Sequence, residues 1–455
     1  NGGGAPASMA AFGGYLWFVA YEQATGYELW RSDGTPGGTT RFRDLYPGFS
    51  SSSPDHFTVA NGSLFFTANT LGVGTEWWRT DGTLAGTVLA ADLNPGSGST
   101  AVTYAAGTSA GVYFVGYSSP AQGYELHFTD GTQANSGLVL DITPGGASSS
   151  IQELRAFGNR VLFSCDDGSG FGLEPWVGSA TPGGTFRLAD VSPGSTSSWP
   201  TKYTALSATQ AVFQAYAPNL GYELYVTDGT TNGTTLLRDI QPGTNSGTPD
   251  HFARVTGGVA FAATDTTGGN ELWFSDGTVG GTVRIADLVP GTAGSTPRNM
   301  AWIGNQLFFQ ANTILFGTEL YVSDLTTLGT RFVADLAGPY GDSNADRFAG
   351  ATHAAVFTAN DGSITELWRS DGTAAGTTVL DFGPGGNYVT ELVANQGQVF
   401  LNGYTQSTGY ELQVTDGTPA GSVTLDIQPG SNSSSPDQLT VANGRVWFAA
   451  RGNSA

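Results

Sequence analysis

Positive charge and sulfur are scarce in this chain. It carries 17 Lys and Arg among 455 residues against 38 Asp and Glu, a net charge of −21, and its single lysine is Lys202. Phosphate neutralisation needs a basic stripe, so nucleic acid is excluded as a partner. Cys165 is the only cysteine, so no internal disulfide forms and the redox compartment cannot be read from cysteines. No apolar run of about 18 residues is present, so no transmembrane helix is expected. Charged residues make up 12% of the chain, about half the usual share. The surface is therefore mostly neutral and polar. The four histidines do not cluster: His56 and His251 share a Pro-Asp-His-Phe context, His127 sits where Trp30 sits in another copy of the same motif, and His353 stands alone. With no GxSxG, phosphate loop, CxxC or DxDxDG segment either, the chain offers no catalytic triad and no metal cluster.

What is abundant is repetition. GYELWRSDGTPGGT from Gly26 returns as GTEWWRTDGTLAGT from Gly74, GYELYVTDGTTNGT from Gly221 and GNELWFSDGTVGGT from Gly269. Its glutamate falls at Glu28, Glu76, Glu125, Glu174, Glu223, Glu271, Glu319, Glu366 and Glu411, nine copies 45 to 49 residues apart. An unbroken period overrides a domain count based on length, so residues 1–455 are expected to form one repeat-built body.

Within one copy, HFTVAN, SLFFTAN, TEWWRT and TVLAADL are short β-branched or aromatic runs bounded by Gly, Pro, Asn or Asp, the pattern of strands. Asn61-Gly62 and Asn443-Gly444 are tight hairpin turns. Four antiparallel strands per ~48 residues match a β-propeller blade. The expected fold is all-β, a β-propeller of nine four-stranded antiparallel blades. A tenth copy of the LFF strand without an ELW partner leaves a half-repeat at about residues 437–450, which could close a ring, replace the N-terminal hairpin or pair with another molecule.

Each repeat carries three acids: the ELW glutamate, the SDGT aspartate such as Asp33, and the aspartate before Pro-Gly such as Asp44. With 17 bases for 26 such acids, backbone N–H groups and Ser or Thr hydroxyls of the SDGT turn are the expected donors, with Ca²⁺ the alternative. Among acids outside these slots, Asp166, Asp167, Asp265, Asp342, Asp346, Asp361, Glu153 and Glu391 are candidates for paired acid and base work, and they read first as solvated loop residues. Tyr27, Tyr124, Tyr222 and Tyr410 precede the ELW strand and could line one rim as glycan-stacking faces, or simply cap their hairpins. Thr75, Leu173, Asn270, Thr318 and Thr365 hold that slot elsewhere.

The motif ELWxSDGTxxGT, with D-[LIV]-x-PG and NGxLFF between copies, resembles the ELWxxDGT-repeat family of secreted bacterial proteins over nearly the whole chain. The resemblance implies export to a cell surface or matrix and supplies no catalytic residue. The start at Asn1 without Met fits a trimmed leader or a fragment. The chain departs from the pattern at Pro175, at Ser179-Ala180 and at Leu325. The function expected first is a non-enzymatic extracellular adhesion module binding glycan or protein through propeller rims. A subunit that assembles through its spare hairpin and a propeller glycosidase or lyase are the alternatives.

Overall fold

A computed structural model describes residues 7–339, 341–383 and 388–452; the first six residues, on which the leader reading rests, lie outside it. The fold is all-β and of the β-propeller type: nine four-stranded antiparallel sheets, each built from strands in chain order, and one two-stranded sheet. The second sheet, Asp55–Ala60, Ser63–Thr70, Gly74–Thr80 and Val88–Ala91, shows the plan. Asn61 and Gly62 both take positive φ, 44° and 68°, as the tight turn requires. The chain divides into two compact units, Asn1–Asn219 with Tyr225–Leu236, and Leu220–Leu224 with Leu237–Ala455. No helix among the described residues is long and apolar enough to cross a membrane.

Burial explains why the second strand reads LFF rather than alternating. Leu64, Phe65 and Phe66 are all fully buried, because both faces of the middle strands are covered. Trp17, Leu29 and Phe42 of the first sheet pack with Leu64 and Phe66 of the second. The aromatic content thus fills the space between sheets.

The SDGTxxGT turn is a closed hydrogen-bond circuit. Asp33 Oδ1 accepts from Thr35 N (2.9 Å) and Thr35 Oγ1 (2.7 Å), Thr35 Oγ1 accepts from Gly38 N (2.9 Å), and Thr39 Oγ1 donates to Thr35 O (2.9 Å). A Cβ on Gly38 would lie 1.9 Å from Asp33 Oδ1, so the second glycine is fixed by contact with the carboxylate. The first glycine is fixed by φ, +92° at Gly34. Leu325 keeps φ +69° in that same slot and retains the circuit through Asp324 and Thr326. The departure at Leu325 is therefore strained backbone, not a different turn.

The ELW glutamates clamp a different loop from the one expected. Eight of the nine are fully buried; Glu366 is the half-buried exception. Glu28 accepts from Leu45 N (2.9 Å), Ser52 N (2.9 Å) and Ser52 Oγ (2.6 Å). Glu223 accepts from Ile240 N (2.8 Å), Gln241 N (3.2 Å) and Gly247 N (2.7 Å). Backbone N–H and hydroxyl donors were expected, but they come from the segment following the strand hairpin, because the SDGT donors are consumed by their own aspartate. Burial pushes Glu125, Glu174 and Glu223 up to about 7, against the opposing pull of their donors and with a smaller push from the neighbouring Asp141, Asp190 and Asp239.

Candidate functional site

The segment held by each glutamate ends in an unusual backbone. After the clamped Ser or Gly comes a residue with positive φ, then usually Pro, then the first residue of the next inner strand, then a second residue with positive φ. Ser53 and His56 take 44° and 55°, Ser150 and Glu153 50° and 59°, Trp199 and Lys202 46° and 63°, Thr248 and His251 43° and 56°. Thr296 and Asn299, Asn344 and Arg347, and Ser435 and Gln438 repeat the pair. None of these is glycine, so seven inner strands each carry one strained residue and are preceded by another, and such strain is a pointer to function. The second slot of each pair forms a bulge in the inner strand. Its occupants, His56, Glu153, Lys202, His251, Asn299, Arg347 and Gln438, are all polar or charged.

Several of these side chains stitch their strand to the next blade. Glu153 Oε2 accepts from Lys202 N (3.3 Å), Asn299 Nδ2 donates to Ala345 O (3.3 Å), and Arg347 Nη1 donates to Thr390 O (2.5 Å). His56 Nδ1 hydrogen-bonds Thr67 Oγ1 (3.2 Å) within its own sheet. His251 differs. Its backbone N–H donates to Asp250 Oδ1 (2.5 Å), while its exposed ring makes no hydrogen bond among the described residues.

A cavity of ≈ 330 Å³ opens where that stitch is missing, lined by Thr248, Asp250, His251, Asn270, Thr296 and Arg298 among others. Asn299 follows Arg298 and points its own amide to the far seam, so the two inner strands meet around His251 and Arg298. Arg298 has no carboxylate partner among the described residues. A cavity of ≈ 520 Å³ beside Phe128 has Asp130 as its only titratable side chain, and that carboxylate is already bound to Thr132 and Asn135. A third of ≈ 220 Å³ holds His353 and Asp371, the latter bound in its SDGT turn. The Asp250–His251–Arg298 cavity alone among these three joins a base and a cation without a committed partner.

The residues singled out from sequence fall elsewhere. Tyr27, Tyr124 and Tyr410 pair across their hairpins with Tyr21, Tyr117 and Tyr404 at ring separations of 5.1, 5.4 and 5.1 Å. The backbone N–H of Tyr27, Tyr124, Tyr222 and Tyr410 donates to a serine hydroxyl at 2.9 to 3.0 Å, the same bond that Thr75 and Leu173 make in that slot. Asn270 holds the tyrosine slot in the one blade where that position borders the open cavity. The acids outside the repeat slots mostly cap loops: Asp166 binds Gly168 N, Asp167 Ser169, Asp361 Ser363 and Ile364, and Asp342 Thr318 N. Asp265 binds Thr267 and Gly268 and pairs with Arg284 at 2.9 Å. Asp346 opens an inner strand, and Glu391 lies half-buried on another. His127 is buried, with Nδ1 near Glu125 O (3.0 Å) and Nε2 near Ser118 Oγ (3.1 Å). Burial holds it below the usual histidine range.

Among the described residues no group of three or more His, Cys, Asp or Glu is close enough to hold a metal. Asp44, Asp92, Asp141 and Asp239 each keep one buried Oδ1 without a partner beside the clamp glutamate. A calcium ion there would need most of its about six to eight oxygens from backbone and water.

No protein-family model and no curated protein sequence matches the chain. Among solved structures it is similar to a prolyl endopeptidase at 12% identity and a TM-score of 0.37, over 81% of this chain and 55% of that one. It is similar to a puromycin hydrolase at 15% identity and a TM-score of 0.32, over 78% of this chain and 58% of that one, and by the same figures to an S511A mutant of a puromycin hydrolase complexed with PGG. The chain thus spans little more than half the length of the structures it matches, and the likeness is one of fold. The expectation of an adhesion module is not carried forward beside these matches, a prolyl endopeptidase and a puromycin hydrolase whose likeness is one of fold alone, and three of the four tyrosines lie tilted against a second tyrosine of their own hairpin.

Proposed function

We propose that this chain is a propeller enzyme of the lyase class that cleaves an acidic polysaccharide at the Asp250–His251–Arg298 cavity. The observation that carries the reading is the open seam: an exposed imidazole on strained backbone, without a hydrogen-bond partner among the described residues, faces a cavity that also holds a guanidinium. Asp250 is the only carboxylate there, and one of its oxygens holds His251 N, so two-carboxylate glycoside hydrolysis lacks its second acid. A base beside a guanidinium suits removal of a proton next to a carboxylate. Arg298 would pair with the carboxylate of a uronate and stabilise the charge that develops on it. His251 would take the proton from the adjacent carbon, the freed electron pair would form the ring C=C bond, and the C–O bond to the leaving sugar would break, its oxygen taking a proton from water. Thr248, Thr296 and Asn270 would hold ring hydroxyls. An exported setting, implied by the ELWxxDGT resemblance, would bring the enzyme to such polymers.

The test is a screen of uronate polymers for the ultraviolet absorbance of an unsaturated product, run on the native chain and on His251→Gln and His56→Gln. Absorbance that grows with the native chain and with His56→Gln but not with His251→Gln supports the proposal. No product from any uronate polymer, or equal loss in both variants, removes it.

A further inference from the structure

Arg31, Arg160 and Arg331 each reach from their own sheet to the same acceptor in the next, the carbonyl of the first glycine of its SDGT turn. Arg31, on a third strand, donates to Gly82 O (2.7 Å), Arg160, on a second strand, to Gly229 O (3.0 Å), and Arg331, on a fourth strand, to Gly372 O (2.9 Å). Different positions of the repeat thus deliver one chemical group to one acceptor. In the third sheet, Ala101–Gly107, Val112–Tyr117, Tyr124–Thr129 and Gly137–Leu140, those positions hold Phe128, Gly111 and Gly137, and none carries a cation. The ≈ 520 Å³ cavity lies at this seam, lined by Phe128 and Gly137 on one side and by Ala180 and Thr181 of the following turn on the other. Ala180 holds the acceptor slot, and its carbonyl receives no hydrogen bond among the described residues. Where Phe274 takes the arginine position in another sheet, Leu325 stands in the glycine slot and packs into the same apolar cluster. The methyl of Ala180 leaves that space open.

We propose that this cavity binds an arginine side chain presented by another polypeptide, which supplies from outside the guanidinium that the chain's own arginines supply at other seams. The site shares no residue with the Asp250–His251–Arg298 cavity and does not rest on the catalytic reading. Its volume falls within the range of about 300–1,000 Å³ usual for ligand sites. The walls divide as such a side chain does: Phe128, Ala134, Leu138 and Val139 offer apolar surface to the methylene stem, and Asp130 offers a carboxylate to the head. Asp130 is held in place for that role. Its Oδ1 accepts from Thr132 N (2.8 Å) and Thr132 Oγ1 (2.7 Å), and its Oδ2 from Asn135 Nδ2 (2.7 Å), which leaves about one of a carboxylate's four acceptor sites for an incoming N–H. Asn135 itself stands where other turns carry their second glycine, Gly38 or Gly86. Burial alone would raise Asp130, but the bonds from Thr132 and Asn135 hold it below the usual aspartate range, so it is charged at neutral pH. No basic residue lines the cavity to compete with the ligand, and the net charge of −21 draws a basic partner.

The test is titration calorimetry of the native chain with the blocked peptide Gly-Gly-Arg-Gly-Gly, with the same peptide carrying citrulline for arginine, and with N-acetylarginine amide. The arginine peptide should bind saturably and at least about tenfold more tightly than the citrulline peptide, the difference that a charge-assisted hydrogen bond makes. Asp130→Asn should weaken it by a similar factor. Phe128→Arg rebuilds the internal stitch to Ala180 O, so it should abolish peptide binding while raising the thermal melt. No saturable binding to the native chain at millimolar peptide overturns the proposal, as does equal binding of the citrulline peptide. Binding unchanged in both variants overturns it equally. N-acetylarginine amide binding more tightly than the peptide would overturn the assignment to a polypeptide.

Discussion

The seam after Asp346–Gly350 and the seam after Asp250–Val255 are built alike and end differently. Both begin with a clamped loop, a left-handed residue and a second left-handed residue on the inner strand. In the first, Arg347 reaches the carbonyl of Thr390 and joins two blades. In the second, the sheets still pack through Ala253, Val255, Met300 and Trp302, but the His251 ring makes no bond to the next strand among the described residues and a ≈ 330 Å³ cavity lies beside it. On the proposed reading, the same strained backbone serves stability at one seam and presentation of a reactive side chain at the other. Repetition supplies the frame, and one residue per blade decides the use.

The comparison breaks most sharply at His251. His251→Ala should reduce uronate cleavage by at least about 100-fold, the usual contribution of a general base, with no change in the thermal melt. His56→Ala, in the same slot of another blade, should keep full activity. Steady-state rates on the two variants decide it. Next comes the clamp that both kinds of seam share. Glu223→Gln places an amide N–H₂ against backbone N–H donors and should cost about 2 kcal/mol, as lost hydrogen bonds to a charged group do. Glu28→Gln should cost a similar amount, read from urea unfolding. Only Glu223→Gln should also reduce activity, because its loop leads to Thr248 and His251.

Stability should follow the clamps in pH. Glu125, Glu174 and Glu223 are raised from the usual glutamate value to about 7, so the folded chain holds more protons than the unfolded one between those limits. Their contribution is complete below the unfolded value and is lost as pH rises through about 7. The melting temperature should thus fall between about pH 5 and pH 8. Below about pH 4 the sign reverses, since the SDGT carboxylates Asp81, Asp228 and Asp416 are held below the usual range by the Thr donors of their own turns. A flat melting temperature over the upper window would remove the clamp account of stability.

A smaller effect sharpens the comparison from the other side. His251→Asn copies Asn299 and should close the open seam by reaching Pro297 O, raising stability by about 0.5–1 kcal/mol while abolishing cleavage. Finally, the net charge of −21 should slow approach of an acidic polymer, so kcat/KM should rise modestly with salt before Arg298 itself is screened.

Much of the fold was legible because the repeat writes it nine times. The Asp-Gly and Asn-Gly turns, the non-alternating LFF strand and the half-repeat near residues 437–450 all follow from local chemistry. The clamp glutamate was visible as a slot, but its donors were not, since Ser52 lies 24 residues from Glu28 and only folding brings them together. The candidate site was harder. His56 and His251 share one sequence context, and nothing local separates a histidine bound to Thr67 from one facing a cavity. Asn270 departs from tyrosine in that blade, but so do Thr75, Leu173, Thr318 and Thr365 in others, so the slot alone does not mark the cavity. The tyrosines recur, and at Tyr27, Tyr124 and Tyr410 the recurrence goes with a ring pair across the hairpin. The left-handed residues were invisible because Ser, Thr, His and Arg do not announce positive φ as glycine does.

The claim that function sits at the open seam is tested most directly by histidine NMR, since the chain has four histidines and each ring can be followed. Titration with a short oligouronate should shift the His251 ring signals in a saturable way and leave those of His56, His127 and His353 in place. Signals that stay fixed at His251, or move at another histidine instead, would contradict the account.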